Sequence, residues 1–240
     1  MRHTFKSVAF LYTPEALTHE QILNIIDDYG QATRRAIEAG FDGVEIHGAN
    51  HYLPQQFFSS YSNICEDDWG GSMEKRIAFS IAVIKKVKEI VAQNAAEDFI
   101  VGYRISPEEV HGANVSYTID DAVILIDEIV NHGIDYLHVS SADYKAMPQT
   151  SGHGEAIALT VKKCIRDRIP MLLAGGILTP DDALDAPKFK KEQGILMTTS
   201  RFFISRTFRL IQTSLKSHSG DTQNHTRYHF SSKPNSPHRG

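Results

Sequence analysis

The apolar positions of this chain alternate between two spacings, and the alternation outlines its elements. From Ile22 onward, Ile22, Ile25, Ile26, Ala32, Ala36 and Ile37 recur at helical intervals, which predicts an amphipathic helix. Thr18 with Gln21 three residues on reads as a capping box at its start. Gly40 supplies the residue tolerant of positive φ that ends such a helix. A short apolar run, Gly43–His47, follows at once and predicts a strand. The same unit recurs further on. Thr118 with Asp121 opens a helix through Val123, Ile126, Ile129 and Val130, Gly133 ends it, and Tyr136–Ser140 is the next strand. The joints themselves match, AGFDGVEIH beside HGIDYLHVS. Thr179 and Pro180 mark a third helix start, with proline at the first helical position.

Five strands are predicted, at Gly43–His47, Phe99–Ile105, Tyr136–Ser140, Pro170–Ala174 and Gly194–Thr198. Each is short and apolar, as a strand buried on both faces of a parallel sheet is. Helices are predicted between them at about 75–92, 118–132, 155–167 and 180–187. Repeated strand–helix units imply an α/β architecture with right-handed crossovers. His47, Arg104, Ser140 and the Gly175–Gly176 pair all fall at C-terminal strand ends. That is the face on which (β/α)8 TIM barrels place their chemistry, so a barrel-type fold is expected over an open sheet. A closed barrel has eight strands, so this one is expected to be incomplete, holding about the last five β/α units. A five-stranded remnant would leave open edges, which soluble proteins normally cover.

Composition changes this picture little. Hydrophobic residues make up 41% and charged residues 22% of 240, as in an ordinary globular protein. A net charge of -4 gives no reason to expect nucleic acid or an anionic membrane as partner. No apolar run is long enough to span a bilayer, and the N-terminus lacks the apolar core of a signal peptide. Cys65 and Cys164 lie far apart and form no CxxC, which fits a reducing cytoplasm rather than a disulfide framework. From about Lys216 the chain is polar and rich in Ser, His and Pro, and is expected to be disordered. Its histidines, His218, His225, His229 and His238, have no spacing that predicts a metal site, and none is expected elsewhere.

The candidate chemistry begins at His47. It ends a strand, and Asn50 follows one turn later, so both side chains can donate to one oxygen. Two donors aimed at developing negative charge form an oxyanion-hole arrangement. Tyr52, two residues on, carries a phenol able to deliver a proton. Arg104 ends another buried strand and needs a partner there, either a ligand or a carboxylate such as Glu45 or Glu108. Gly70 and Gly71 permit a tight turn, Ser72 can cap the next helix, and Arg76 is expected to anchor the loop through carboxylates or carbonyls. Gly175 and Gly176 follow a strand and let backbone N–H groups approach a phosphate, a weak signal alone.

The segments EIHGANHYLPQQFFSSYSN, DDWGGSMEKR and YRISPEE together resemble the old yellow enzyme family, in its branch of bacterial NADH-dependent flavin oxidoreductases. The resemblance covers about residues 13 to 205. It implies a flavin-binding barrel over residues 1–205, truncated at its N-terminal side, with 206–240 a divergent tail. It implies FMN and NADH (or NADPH) as cofactors and a small activated alkene or similar acceptor as substrate. His47 and Asn50 would hold the substrate's electron-withdrawing group, and Tyr52 would be the proton donor. Arg104 would face the pyrimidine edge of the flavin, where a cation favours reduction. Gly175, Gly176, Ser200 and Arg201 would hold the phosphate, with Ser200 where the family has glycine. His51 stands where the family often has a small residue and is expected to be a bystander near the mouth. The family's first three strands have no counterpart here, so roughly 100–150 residues would precede Met1 in a full barrel. A catalytically inactive fragment, or half of a split barrel needing a complementing chain, is the alternative to an active oxidoreductase. A homo-oligomer is left open.

Overall fold

Helix α1 (His19–Glu38) starts where the chain can satisfy its own first amides. Thr18 is extended, its Oγ1 accepts from the Gln21 amide at 3.3 Å, and the Gln21 side chain accepts from the Thr18 amide at 2.8 Å. The helix buries one face through Ile22, Ile26, Gly30 and Thr33. It ends at Gly40, whose φ of 79° lets the Gly40 and Phe41 amides turn back onto the carbonyls of Ile37 and Ala36. The computed structural model describes residues 15–150, 152, 154–176 and 195–198.

The remaining elements follow in strand–helix order. They are β1 (Gly43–Gly48), α2 (Leu53–Phe58), α3 (Met73–Asn94), β2 (Ile100–Ile105), β3 (Glu109–His111), β4 (Asn114–Tyr117), α4 (Ile119–Asn131), β5 (Tyr136–Ser140), α5 (Ile157–Ile165), β6 (Met171–Ala174) and β7 (Ile195–Thr198). Strands β1, β2, β5, β6 and β7 form one parallel sheet in that order, while β3 and β4 make a separate antiparallel hairpin. This is the α/β, (β/α)8 TIM-barrel-type arrangement read from the sequence, with five strands of the barrel sheet among the described residues. No helix among the described residues is long and apolar enough to cross a membrane.

The five strands predicted from the sequence are present, each within one residue of the expected bounds. Two short elements are additions. Helix α2 has only six residues with Pro54 near its start, too few to show a period. The β3–β4 hairpin has strands of three and four residues joined through Gly112 at φ 62°. Helices α3, α4 and α5 correspond to the predicted helices 75–92, 118–132 and 155–167. The helix predicted at 180–187 and the tail from 206 lie outside the described residues, as do Ser200 and Arg201.

Alternation along the strands sorts side chains into two faces. Ile46, Val101, Tyr103, Ile105, Leu137, Val139, Met171 and Leu173 are nearly or fully buried and join the helices in one core. Within it Phe57 stacks on Phe79 at 3.9 Å, and burying one such ring contributes about 1.5–3 kcal/mol. The opposite face is polar. The register pairs His47 with Arg104, Arg104 with His138, and Glu45 with Gly102, and residues paired in a parallel sheet share a face. Glu45, His47, Arg104, Tyr136, His138 and Ser140 therefore line one surface, the side that is the interior of a barrel.

Gly102 is the gap that makes this surface possible. A Cβ there would lie 2.1 Å from the Tyr136 ring, which crosses over Gly102 to hydrogen-bond Glu45 at 2.9 Å. Gly102→Ala should destabilise the protein by about 1–3 kcal/mol. Its thermal unfolding midpoint should drop by about 2–12 °C, and an unchanged midpoint would show that Tyr136 does not need this space.

Candidate active site

The site is built on the turn that follows β1. Asn50 and His51 both have positive φ, 54° and 62°. Asparagine tolerates this left-handed region, whereas for histidine it is uncommon and strained. The turn is held from several sides. The Asn50 amide donates to Ser106 Oγ at 3.0 Å, and the His51 amide donates to Gln55 Oε1 at 2.9 Å. Gln56 Nε2 donates to the His51 carbonyl at 2.6 Å, and the Tyr52 amide reaches back to Ala49 at 3.1 Å. Strain fixed this firmly is typical of functional turns. Its effect is to fold Tyr52 back toward the strand end, so that the His47 and Tyr52 rings lie 4.8 Å apart. The Tyr52 side of the pair is exposed, so its hydroxyl is open to a ligand.

Asn50 joins the polar face through Ser140. Arg104 Nη2 donates to Ser140 Oγ at 2.9 Å, and Ser140 Oγ donates to Asn50 Oδ1 at 3.3 Å. This chain fixes the Asn50 amide with its oxygen inward, leaving its NH2 group to donate outward. His47, Asn50, Tyr52 and Arg104 thus meet at the C-terminal ends of β1 and β2.

Arg104 does not form the carboxylate pair that the sequence left open. Glu45 Oε2 instead accepts from Tyr136 Oη and contacts His138 Nδ1, both at 2.9 Å. Glu108 accepts from the Gln149 amide at 3.0 Å. Arg104 Nε is buried with no hydrogen-bond partner among the described residues, and so is His138 Nε2. A half-buried cation whose buried Nε has no partner among the described residues is suited to a polar ligand.

The charges set one another's protonation. Burial alone would raise the Glu45 carboxyl, but hydrogen bonding and charge from His138, the Tyr136 hydroxyl and the Arg104 charge outweigh it, so its pKa lies below the usual value. Burial and the neighbouring Glu45 push Tyr136 far up, so it stays a donor. Burial and then the Arg104 charge lower the pKa of His47 below its ordinary 6.5, favouring the neutral ring.

After β6, Gly175 and Gly176 have φ of 136° and 72°. A Cβ on Gly175 would lie 1.9 Å from the Ser141 carbonyl, and one on Gly176 2.8 Å from Asp143 Cα. The pair is therefore required by close packing on the 141–143 loop, whatever else its amides do. Arg76 behaves as expected, donating to the carbonyls of Phe58 and Gly71. Glu45, Tyr136 and His138 were not singled out from the sequence as site residues. The signal was there: polar residues at every second position, Glu45-x-His47 and Tyr136-x-His138-x-Ser140, inside otherwise apolar strands.

Comparisons with known proteins agree on the kind of chain this is. The NADH:flavin oxidoreductase / NADH oxidase family model matches residues 2–216. The probable NADH-dependent flavin oxidoreductase YqiG of Bacillus subtilis strain 168 is 42% identical over 170 residues, covering 70% of this chain and 45% of that protein. The NADH:acrylate oxidoreductase of Vibrio harveyi is 42% identical over 178 residues, covering 72% of this chain and 18% of that protein. Among solved structures, morphinone reductase in complex with tetrahydroNAD superposes with a TM-score of 0.61 at 29% identity, covering 83% of this chain and 52% of that one. The chain thus spans about half the length, or less, of these relatives.

The lowered pKa of His47 is open to measurement. Between its folded value and 6.5 the unfolded chain binds a proton that the folded chain does not, so this group costs stability as pH falls through that window. Titration of the His47 ring by NMR should give a midpoint below 6.5, and Arg104→Gln should move it upward. A midpoint at or above 6.5 in the unaltered protein would contradict the assigned environment.

Proposed function

The chain belongs to the NADH:flavin oxidoreductase / NADH oxidase family, and from that premise we propose that it serves an FMN-dependent NAD(P)H oxidoreductase of the ene-reductase type. The observation that carries this reading is the meeting of His47, Asn50 and Tyr52 beside Arg104, a half-buried cation whose buried Nε has no partner among the described residues. That orphaned donor fits the electron-rich edge of a flavin.

FMN, when bound, accepts hydride from NADH (or NADPH) and passes it to an acceptor. Arg104 would hold the pyrimidine edge and offset the negative charge of the reduced state. Gly175, Gly176, Ser200 and Arg201 would hold the phosphate. His47 and Asn50 donate hydrogen bonds to the oxygen of the acceptor's activating group, which draws electrons from the adjacent double bond. The neutral His47 ring still offers one N–H for this. Tyr52 holds the proton destined for the carbon next to that group. The acceptor is a small activated alkene or a molecule of similar chemistry. The unpaired Cys65 and Cys164 accord with the cytoplasmic setting proposed for such an enzyme.

A second reading is favoured by the share of its relatives that the chain spans. It contributes one half of the site and needs the other wall from a complementing chain, or is inactive without it.

The purified chain should show the visible absorbance of bound flavin, or take up added FMN. A colourless protein that takes up none would overturn the first reading and support the second. In the flavin-loaded protein, Tyr52→Phe should slow alkene reduction on the order of 10²-fold while sparing flavin reduction by NAD(P)H. Equal loss of both steps would remove Tyr52 as proton donor.

A further inference from the structure

We propose that His51, Glu109 and His111 form a divalent-cation site of the zinc class at the mouth of the polar face. Glu109 and His111 lie two apart on β3, across an irregularity in the hairpin register, and their side chains meet. His51 comes from the strained turn after β1. One ligand atom from each lies within 4.8 Å of the others. His111 Nε2 is 2.9 Å from Glu109 Oε1, and His51 Nδ1 is 3.9 Å from Glu109 Oε2.

The centre of the cluster is a carboxylate in an unusual position. The Glu109 side chain is 1% exposed. Among the described residues its ion-pair partners are these two imidazoles, with no lysine or arginine in reach. A buried carboxylate normally has a cation beside it or coordinates a metal. Gln55 Nε2 donates to Glu109 Oε2 at 2.8 Å and Ser59 Oγ to Oε1 at 2.9 Å, which orients the group as metal-ligating carboxylates are oriented. The Tyr61 ring, 4.7 Å from His111, forms one wall.

The donor set selects the ion. Two imidazole nitrogens and one carboxylate suit zinc and its borderline-soft neighbours better than calcium or magnesium, which take oxygen shells. Ligand atoms around a tetrahedral zinc stand about 3.3 Å apart, from metal–nitrogen bonds of about 2.05 Å. The imidazoles approach different Glu109 oxygens, at 2.9 and 3.9 Å, so reaching that spacing takes a small movement that His51, with its side chain 61% exposed, is free to make. Three protein ligands leave the fourth position to water. Occupancy would pin the turn carrying Asn50 and Tyr52 to the β3–β4 hairpin. The proposal does not depend on the flavin reading.

Titration of the chelator-treated full chain with zinc alone should show a site whose affinity falls by at least about tenfold in His51→Asn and in His111→Asn. Asparagine accepts the left-handed backbone at 51, so that variant keeps the turn. Zinc should raise the thermal midpoint of the unaltered protein and not of the variants. In the unaltered protein zinc should also shield His51 and His111 from diethyl pyrocarbonate, read by peptide mass spectrometry. Unchanged zinc affinity in both variants would place any bound ion elsewhere, for instance on His218, His225, His229 or His238, and would overturn the proposal. So would a lack of protection at both histidines.

Discussion

Arg104 carries a permanent charge at the end of a strand whose other side chains are buried, and much of the polar face is organised around that charge. It holds Ser140 through Nη2, and Ser140 holds Asn50. It lowers the pKa of both the Glu45 carboxyl and the His47 ring, its partner in register. For Glu45 the effect favours the charged form, for His47 the neutral one. The cation thus adds to the hydrogen bonds that keep Glu45 anionic and to the burial that keeps His47 an uncharged donor. Replacing it by a neutral side chain would weaken both effects without moving either strand.

The face could not exist without space. Gly102 leaves room for Tyr136, and Tyr136 spends its hydroxyl on Glu45. The carboxylate is thereby taken up by Tyr136 and His138, so the guanidinium has no hydrogen-bonded carboxylate among the described residues. Had Glu45 closed on Arg104, the strand end would hold a self-contained ion pair and offer little to a ligand. The left-handed turn works to the same end on the other side. Its strain is borne by hydrogen bonds to Ser106 and Gln55 and from Gln56, and it brings Tyr52 back over His47 instead of letting the chain continue outward.

What could be read from the sequence was whatever is local. His47, Asn50 and Tyr52 sit in one short segment, and their spacing alone placed them together. The caps at Thr18 and Thr118 are legible because capping chemistry spans only four residues. Short apolar runs gave the five strands. Helix α2 and the β3–β4 hairpin were missed because neither is long enough to display a period. The partners of Glu45 were missed for a different reason: Tyr136 and His138 reach it only across two strand pairings. The His51–Glu109–His111 cluster was hidden in the same way, its two parts separated along the chain by α2, α3 and β2. Register between distant strands is a property of the folded sheet, and one sequence does not display it.

Two nitrogens on the polar face have no partner among the described residues, and they bear on what it is for. Arg104 Nε–H is a donor. His138 directs Nδ1 at the Glu45 carboxylate and leaves Nε2 without a partner among the described residues. Arg104 and His138 are partners in register, so two nitrogens without partners among the described residues stand side by side. Buried polar atoms are satisfied in more than about nine cases in ten. A core would not keep such a pair, since apolar side chains of similar volume would cost less. A surface that binds a flat polar molecule along one edge would keep it. The residues that look uneconomical as structure are the ones that make sense as a binding platform.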